Sequence, residues 1–160
     1  MGLGNIKSLK ENDMADLSAF ATKDTANDGV VIPVKIDGIK FPMAIKVYGS
    51  DSDTVVEYER NKIRKLGLAK KGKKEIDEDL IEEILDNQDE GVLIRIGGIW
   101  TYDWEEKKVV NTEPLELNGK TLSCDRDSYE YLIEKMPSIK DWVMEKSNDR
   151  SYFLSNRKKD

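Results

Sequence analysis

From Val30 the chain alternates: Val30, Ile32, Val34 and Ile36 are apolar, Asp37-Gly38 interrupts, and Ile39, Phe41, Met43, Ile45 and Val47 alternate again. A period of two marks strands with one buried face. Asp-Gly between such runs is a hairpin signal, because both residues tolerate the positive φ of the tight turn. A two-residue loop sets Ile36 opposite Ile39 and Val34 opposite Phe41, and leaves Lys35, Lys40 and Lys46 on the other, solvent face. Pro33 and Pro42 have no backbone donor, which argues that this ribbon is not the centre of a wide sheet. A ribbon with a single apolar face needs helical cover.

Helical spacing follows. Thr54-Val55-Val56-Glu57 matches a capping box, and Val55, Val56, Glu59, Ile63 and Leu66 then keep one face up to Gly67. Leu80, Ile81, Ile84, Leu85, Gln88, Val92, Leu93, Ile96 and Trp100 recur at i, i+3, i+4 and predict a helix from about residue 76 to residue 102. Gly91, Gly97 and Gly98 each cost about 1 kcal/mol in such a helix, and Val92-Leu93-Ile94-Arg95-Ile96 alone would also suit a strand. Trp100, Tyr102 and Trp104 are expected to fill core. Leu115-Glu116-Leu117-Asn118-Gly119-Lys120-Thr121-Leu122 signals a second hairpin, with Leu115 opposite Leu122. Asp127 and Glu130 start a helix carrying Tyr129, Leu132, Ile133 and Met136, which Pro137 stops. Ser138-Ile139-Lys140-Asp141 restarts one with a box-like cap, carrying Ile139, Trp142 and Val143. Near the N-terminus, Met14, Leu17, Phe20 and Ala21 keep helical spacing behind Asn12 or Asp13, and Thr22 to Gly29 is polar and turn-like. The expected fold is α+β, an N-terminal two-stranded β-ribbon covered by several α-helices, with a short hairpin near Asn118-Gly119. Residues 1–28 form an arm or a short docked helix, residues 29–155 a single domain, and residues 156–160 a polar tail.

Composition narrows the chemistry. The 160 residues carry 26 Lys+Arg against 32 Asp+Glu, a net charge of −6, and no histidine. Histidine-based acid–base catalysis, Ser–His and Cys–His nucleophile pairs and His-ligated metals are therefore excluded. A single cysteine, Cys124, excludes an intrachain disulfide and a cysteine-cluster metal site. No apolar run approaches the roughly 20 residues of a membrane span. Ile6 stands where the myristoylation pattern asks for Ser or Thr, and no basic region followed by an apolar one marks a secretory signal, so cytoplasmic synthesis is expected. Asp51 and Asp53 read as helix-dipole and cap residues rather than metal ligands. Asp125-Arg126-Asp127-Ser128-Tyr129-Glu130 lacks the glycine at its sixth position and the later bidentate acid of a calcium loop. Arg60, Lys62, Arg64, Lys65, Lys70, Lys71, Lys73 and Lys74 form a basic block, but an acidic block from Glu75 to Glu90 adjoins it. The pair reads as solvated helix ends that complement their macrodipoles, and nucleic-acid binding is disfavoured. No catalytic, cofactor or metal residue is expected.

Several of these features occur together in an order that resembles a family of small proteins of long-tailed bacteriophages, the tail assembly chaperones or tail accessory proteins. They are the two-stranded segment, Tyr48-Gly49-x-Asp51-Ser52-Asp53 before a charged helix, the basic then acidic middle, an aromatic site near Trp104, Leu117-Asn118-Gly119-Lys120-x-Leu122, the Pro137-x-Ile139 restart, and Asp149-Arg150-Ser151-Tyr152-Phe153-Leu154. The resemblance spans about residues 28–155. The chain departs from the family pattern at Gly97-Gly98 and Lys107-Lys108, where that pattern is shorter and more helical. The resemblance implies a non-enzymatic chaperone in the host cytoplasm that binds the tape-measure protein before tail-tube polymerisation. The alternative is a structural virion protein of the tail or head–tail joint. Residues 128–154 carry more large apolar surface than two short helices bury on each other. Tyr152, Phe153, Leu154 and Trp142 are accordingly candidate contacts for the client or for a second copy, the competing expectation being that they close the monomer core.

Overall fold

The structure is a computed structural model, and it describes residues 17, 21–70, 78–86 and 88–154. The two turns that the sequence marks most clearly both form. Asp37 and Gly38 take φ of 53° and 79°, Asn118 and Gly119 take 52° and 80°, and the flanking residues pair as Ile36↔Ile39 and Leu117↔Lys120. The first hairpin joins β1 (Val30–Ile36) to β2 (Ile39–Val47), and the second joins β5 (Leu115–Leu117) to β6 (Lys120–Leu122). Between them run α2 (Asp53–Lys70), α3 (Glu78–Asp86), α4 (Gln88–Leu93), β3 (Ile96–Asp103) and β4 (Lys108–Val110). A short helix, α1 (Thr22–Asp28), precedes β1. After β6 come α5 (Arg126–Lys135), α6 (Ser138–Asn148) and a 3₁₀ turn, Arg150–Phe153. The fold is mixed α and β, with a four-stranded antiparallel sheet in the order β1-β2-β3-β4 beside the two-stranded β5-β6.

The ribbon is therefore half of a wider sheet, and β2 is an interior strand. Both prolines fall where the sheet tolerates a missing donor, so they do not keep the ribbon at a margin. Pro33 lies on the edge strand, and pairing of β2 with β3 begins only at Met43↔Thr101. Pro42 also lies in the stretch where the β1–β2 register shifts, between Lys35↔Lys40 and Pro33↔Ala44. That shift sets Phe41, Pro42 and Met43 against Val34, so the expected Val34–Phe41 pair does not form. A bulge absorbs a missing donor where no ladder bond is needed.

The single helix expected over residues 76–102 does not form either. Helix α4 ends at Leu93, Ile94 and Arg95 turn, and residues 96–103 are strand. Gly97 is the extra residue of a second bulge, between Lys46↔Gly98 and Val47↔Ile96. Glycine is required here by close approach. A Cβ at Gly98 would sit 2.3 Å from the Trp100 ring, and one at Gly97 would sit 2.7 Å from that of Tyr48. Helix starts also move. Ser52 caps α2, accepting the Val55 N–H at its Oγ (3.4 Å) and the Val56 N–H at its carbonyl (2.9 Å), ahead of the Thr54 box. Asp125 caps α5 by accepting the Ser128 N–H at 2.8 Å, ahead of Asp127. The start of α6 at Pro137 has no side-chain cap bond.

The core lies on one face of the sheet. Ile32, Val34, Met43, Ile45, Val47 and Ile99 from the strands meet Leu93, Leu132, Ile133, Ile139, Trp142, Val143 and Phe153 from the helical side. Each such side chain contributes roughly 1.5–3 kcal/mol on full burial. Residues 22–28, expected as a turn, form α1 instead, and its Ala26 joins this core. The fit is close: a Cβ on Gly49 would lie 2.7 Å from the Ala26 Cβ and 3.2 Å from the Phe153 ring. The Met14–Phe20 helix (Leu17 aside, which is exposed), the basic residues Lys71, Lys73 and Lys74, and the tail from Ser155 lie outside the described residues. Among the described residues no helix is long and apolar enough to cross a membrane.

Candidate docking surface

The other face of the sheet carries its own chemistry. Strand alternation and register put Val31, Lys46 and Gly98 in one row across it, and Pro33, Ala44 and Trp100 in the next. Tyr102 and Val109 form a third row. None of these residues belongs to the core cluster on the helical side. Ala44 (0%) and Tyr102 (8%) are nevertheless buried. Trp100 presses on Gly98. Trp104, in the turn after β3, reaches back so that its Nε1 donates to the Phe41 carbonyl at 2.6 Å. Its ring meets that of Tyr102 edge-on, with centroids 5.2 Å apart and planes at 81°. Trp100 and Trp104 remain half-buried, and Val31 is exposed.

Lysines frame the rings. Lys40 Nζ stands 5.3 Å above the Trp104 ring, and Lys46 Nζ stands 5.9 Å from that of Tyr48. Lys35 is paired with Lys40 and shares its face. The strand positions on this face include no carboxylate, in a chain whose net charge is −6. Asp103 closes β3, and its Oδ1 accepts the N–H groups of Glu105 and Glu106, which folds it into the turn. Flat π faces edged by ammonium groups attract apolar and anionic groups together.

Other polar clusters are bonded within the fold. Arg95, 2% exposed, donates from Nε to Ser147 Oγ (3.1 Å), from Nη1 to the Gly91 carbonyl (2.6 Å) and from Nη2 to Glu59 Oε1 (3.2 Å). Ser147 Oγ donates in turn to the Tyr48 carbonyl at 2.8 Å. This rivet joins α2, α4, α6 and the end of β2. The groove between α4 and α5 is floored by Leu93, Ile133 and Pro137. Its charges are paired, Arg126 with Glu90 and Glu130, and Lys140 with Asp89. The hydrogen bond from Arg126 holds the Glu90 carboxyl below its usual range. Burial pushes the Tyr129 phenol up to about 12, so it stays neutral.

Of the candidate contacts expected near the C-terminus, Trp142 and Phe153 are core residues. Tyr152 and Leu154 are half-buried, with Lys146 Nζ 5.1 Å above the Tyr152 ring. The four are not gathered on one open patch. Asp51 accepts bonds from Thr22 Oγ1 and from both Nε and Nη2 of Arg150. Asp53 pairs with Lys23 at 2.8 Å. Asp51 ties α1 and the closing 3₁₀ turn to the α2 start, and Asp53 ties α1 to it. Among the described residues no cluster of His, Cys, Asp or Glu could hold a metal ion. Cys124 is exposed and donates its thiol to the Ile99 carbonyl at 3.3 Å. The aromatic face itself was hidden in the sequence by the helical reading of residues 76–102. Its signal was the i, i+2 series Gly98, Trp100, Tyr102, Trp104, which belongs to a strand. Compared with protein-family models, with curated proteins and with solved structures, the chain matches none.

Proposed function

We propose that this chain is a non-enzymatic tail assembly chaperone of a long-tailed bacteriophage. It holds the tape-measure protein in the host cytoplasm until tail-tube subunits polymerise around it. The family resemblance over residues 28–155 supplies the class. The observation that carries the reading is the aromatic face built by Trp100, Tyr102 and Trp104 on the side of the sheet away from the core. A long helical client exposes apolar stripes before assembly, and the half-buried Trp100 and Trp104 rings offer apolar area to such a stripe without a deep pocket. Helix contacts on one sheet surface are broad and shallow, so the client is released when tube subunits compete for the same stripe.

The test is co-expression with the tape-measure protein. The chain is expected to raise its soluble fraction and to co-purify with it, and Trp100→Ala is expected to abolish both while the variant remains folded by circular dichroism. Mature particles should lack the chain. Finding it as a stoichiometric component of purified virions would establish the structural alternative instead.

A further inference from the structure

The charge layout of the aromatic face specifies more about its occupant than apolarity does. Lys35 and Lys40 stand together at the β1–β2 turn end, beside Trp104. Lys46 stands at the opposite end of β2, beside Tyr48. Lys40 and Lys46 are separated along β2 by a stretch of roughly 20 Å at about 3.3 Å per residue. Between these cationic poles lie the Ala44 floor and the Trp100 ring, with no charged strand residue on this face. We infer that this face takes an acidic amphipathic helix of the client: an apolar stripe seated on Trp100 and Trp104, with a carboxylate near each end to meet Lys40 and Lys46. At a rise of 1.5 Å per residue, 20 Å is about 13 residues, so the recognised segment carries Asp or Glu at each end of about three and a half apolar turns. Charge complementarity favours an acidic occupant here, since every charged strand residue of this face is a lysine; that the occupant is a helix rests on the chaperone reading.

The probe is a pair of synthetic 18-residue helical peptides that share one leucine stripe, with Glu at both ends of the stripe in one and Lys in the other. Binding is read by fluorescence anisotropy of a dye on the peptide. The Glu peptide is expected to bind and the Lys peptide to bind at least about tenfold more weakly. Lys40→Gln with Lys46→Gln is expected to remove that difference, and Lys40→Glu with Lys46→Glu to reverse it. Neither lysine belongs to the core cluster, Lys40 being exposed and Lys46 half-buried, so these variants stay informative if Trp100→Ala fails to fold. Equal binding of the two peptides overturns the inference. So does binding of an oligo-dT strand that competes with the Glu peptide at equal affinity, or sedimentation showing a dimer that buries this face. Peptide discrimination without capture of the tape-measure protein defeats the chaperone reading alone. Capture of that protein by the lysine variants at full strength defeats the charge rule alone.

Discussion

Gly98 and Trp100 have to be read together. The Trp100 ring occupies the space a Cβ on Gly98 would need, at 2.3 Å. Gly98→Ala is therefore expected to lift the ring off the sheet and to cost about 1–3 kcal/mol, the range for overpacking a tight site. Chemical denaturation measures the cost, and a midpoint within error of the parent would show that the ring moves freely. Arg95 poses the opposite problem, since its value lies in fork geometry rather than charge. Its nitrogens reach Ser147, Gly91 and Glu59 in separate directions, and an ammonium on a flexible stem does not reproduce that spread. Arg95→Lys is expected to destabilise by about 2–3 kcal/mol although the charge is kept. An unshifted unfolding curve would sink the rivet.

At the scale of elements, the bulge in β2 decides which strand residues carry stability. Ile45 is fully buried, while Phe41 is only half-buried at the edge of the core. Ile45→Ala should cost about 2–5 kcal/mol and Phe41→Ala clearly less, against the usual aromatic order. Equal or inverted losses would place Phe41 deeper than it lies here. The α1 helix and the closing 3₁₀ turn are fastened to the start of α2 through Asp51, whose carboxyl is held below its usual range by the hydrogen bonds of Arg150 and then of Thr22. A carboxyl with a depressed folded pKa stabilises fully above its unfolded value, about 3.9, and that stabilisation is lost as pH falls through the folded value. Asp51→Asn should then lower Tm at neutral pH and flatten its decline in acid. Parallel Tm–pH curves for the two proteins would mean that this fastening adds nothing.

For the whole molecule, the sheet divides the aromatic residues into two populations. Trp142 is in the core, whereas Trp100 and Trp104 are half-buried on the far face. Acrylamide quenching should resolve an inaccessible fraction that Trp142→Phe removes, and an accessible fraction that a bound Glu peptide protects. A single quenching class, unchanged by Trp142→Phe, would contradict this division. On the aromatic face, the charged strand residues Lys35, Lys40 and Lys46 are all cationic in a chain whose net charge is −6.

Local chemistry was legible where it is self-contained. Asp37-Gly38 and Asn118-Gly119 turned the chain as expected, because positive φ at both residues is a property of the dipeptide itself. The helices beginning near residues 126 and 138, and their burial of Leu132, Ile133, Ile139, Trp142 and Val143, followed from apolar spacing alone. The face of the sheet on which each lysine of β1 and β2 lies was likewise contained in the alternation. Tertiary structure decided the rest. Residues 96–103 satisfy helical spacing and strand alternation alike, and only pairing with β2, with rings lying on Gly97 and Gly98, selects the strand. That choice moved Trp100, Tyr102 and Trp104 from an expected core to a second face. Phe153 and Trp142 carry the apolar area of an interface residue, but both are core: Gly49 lies against Ala26 of α1 and Phe153, and Trp142 packs in the cluster under the sheet. Apolar area is a property of the residue, and what covers it is a property of the fold.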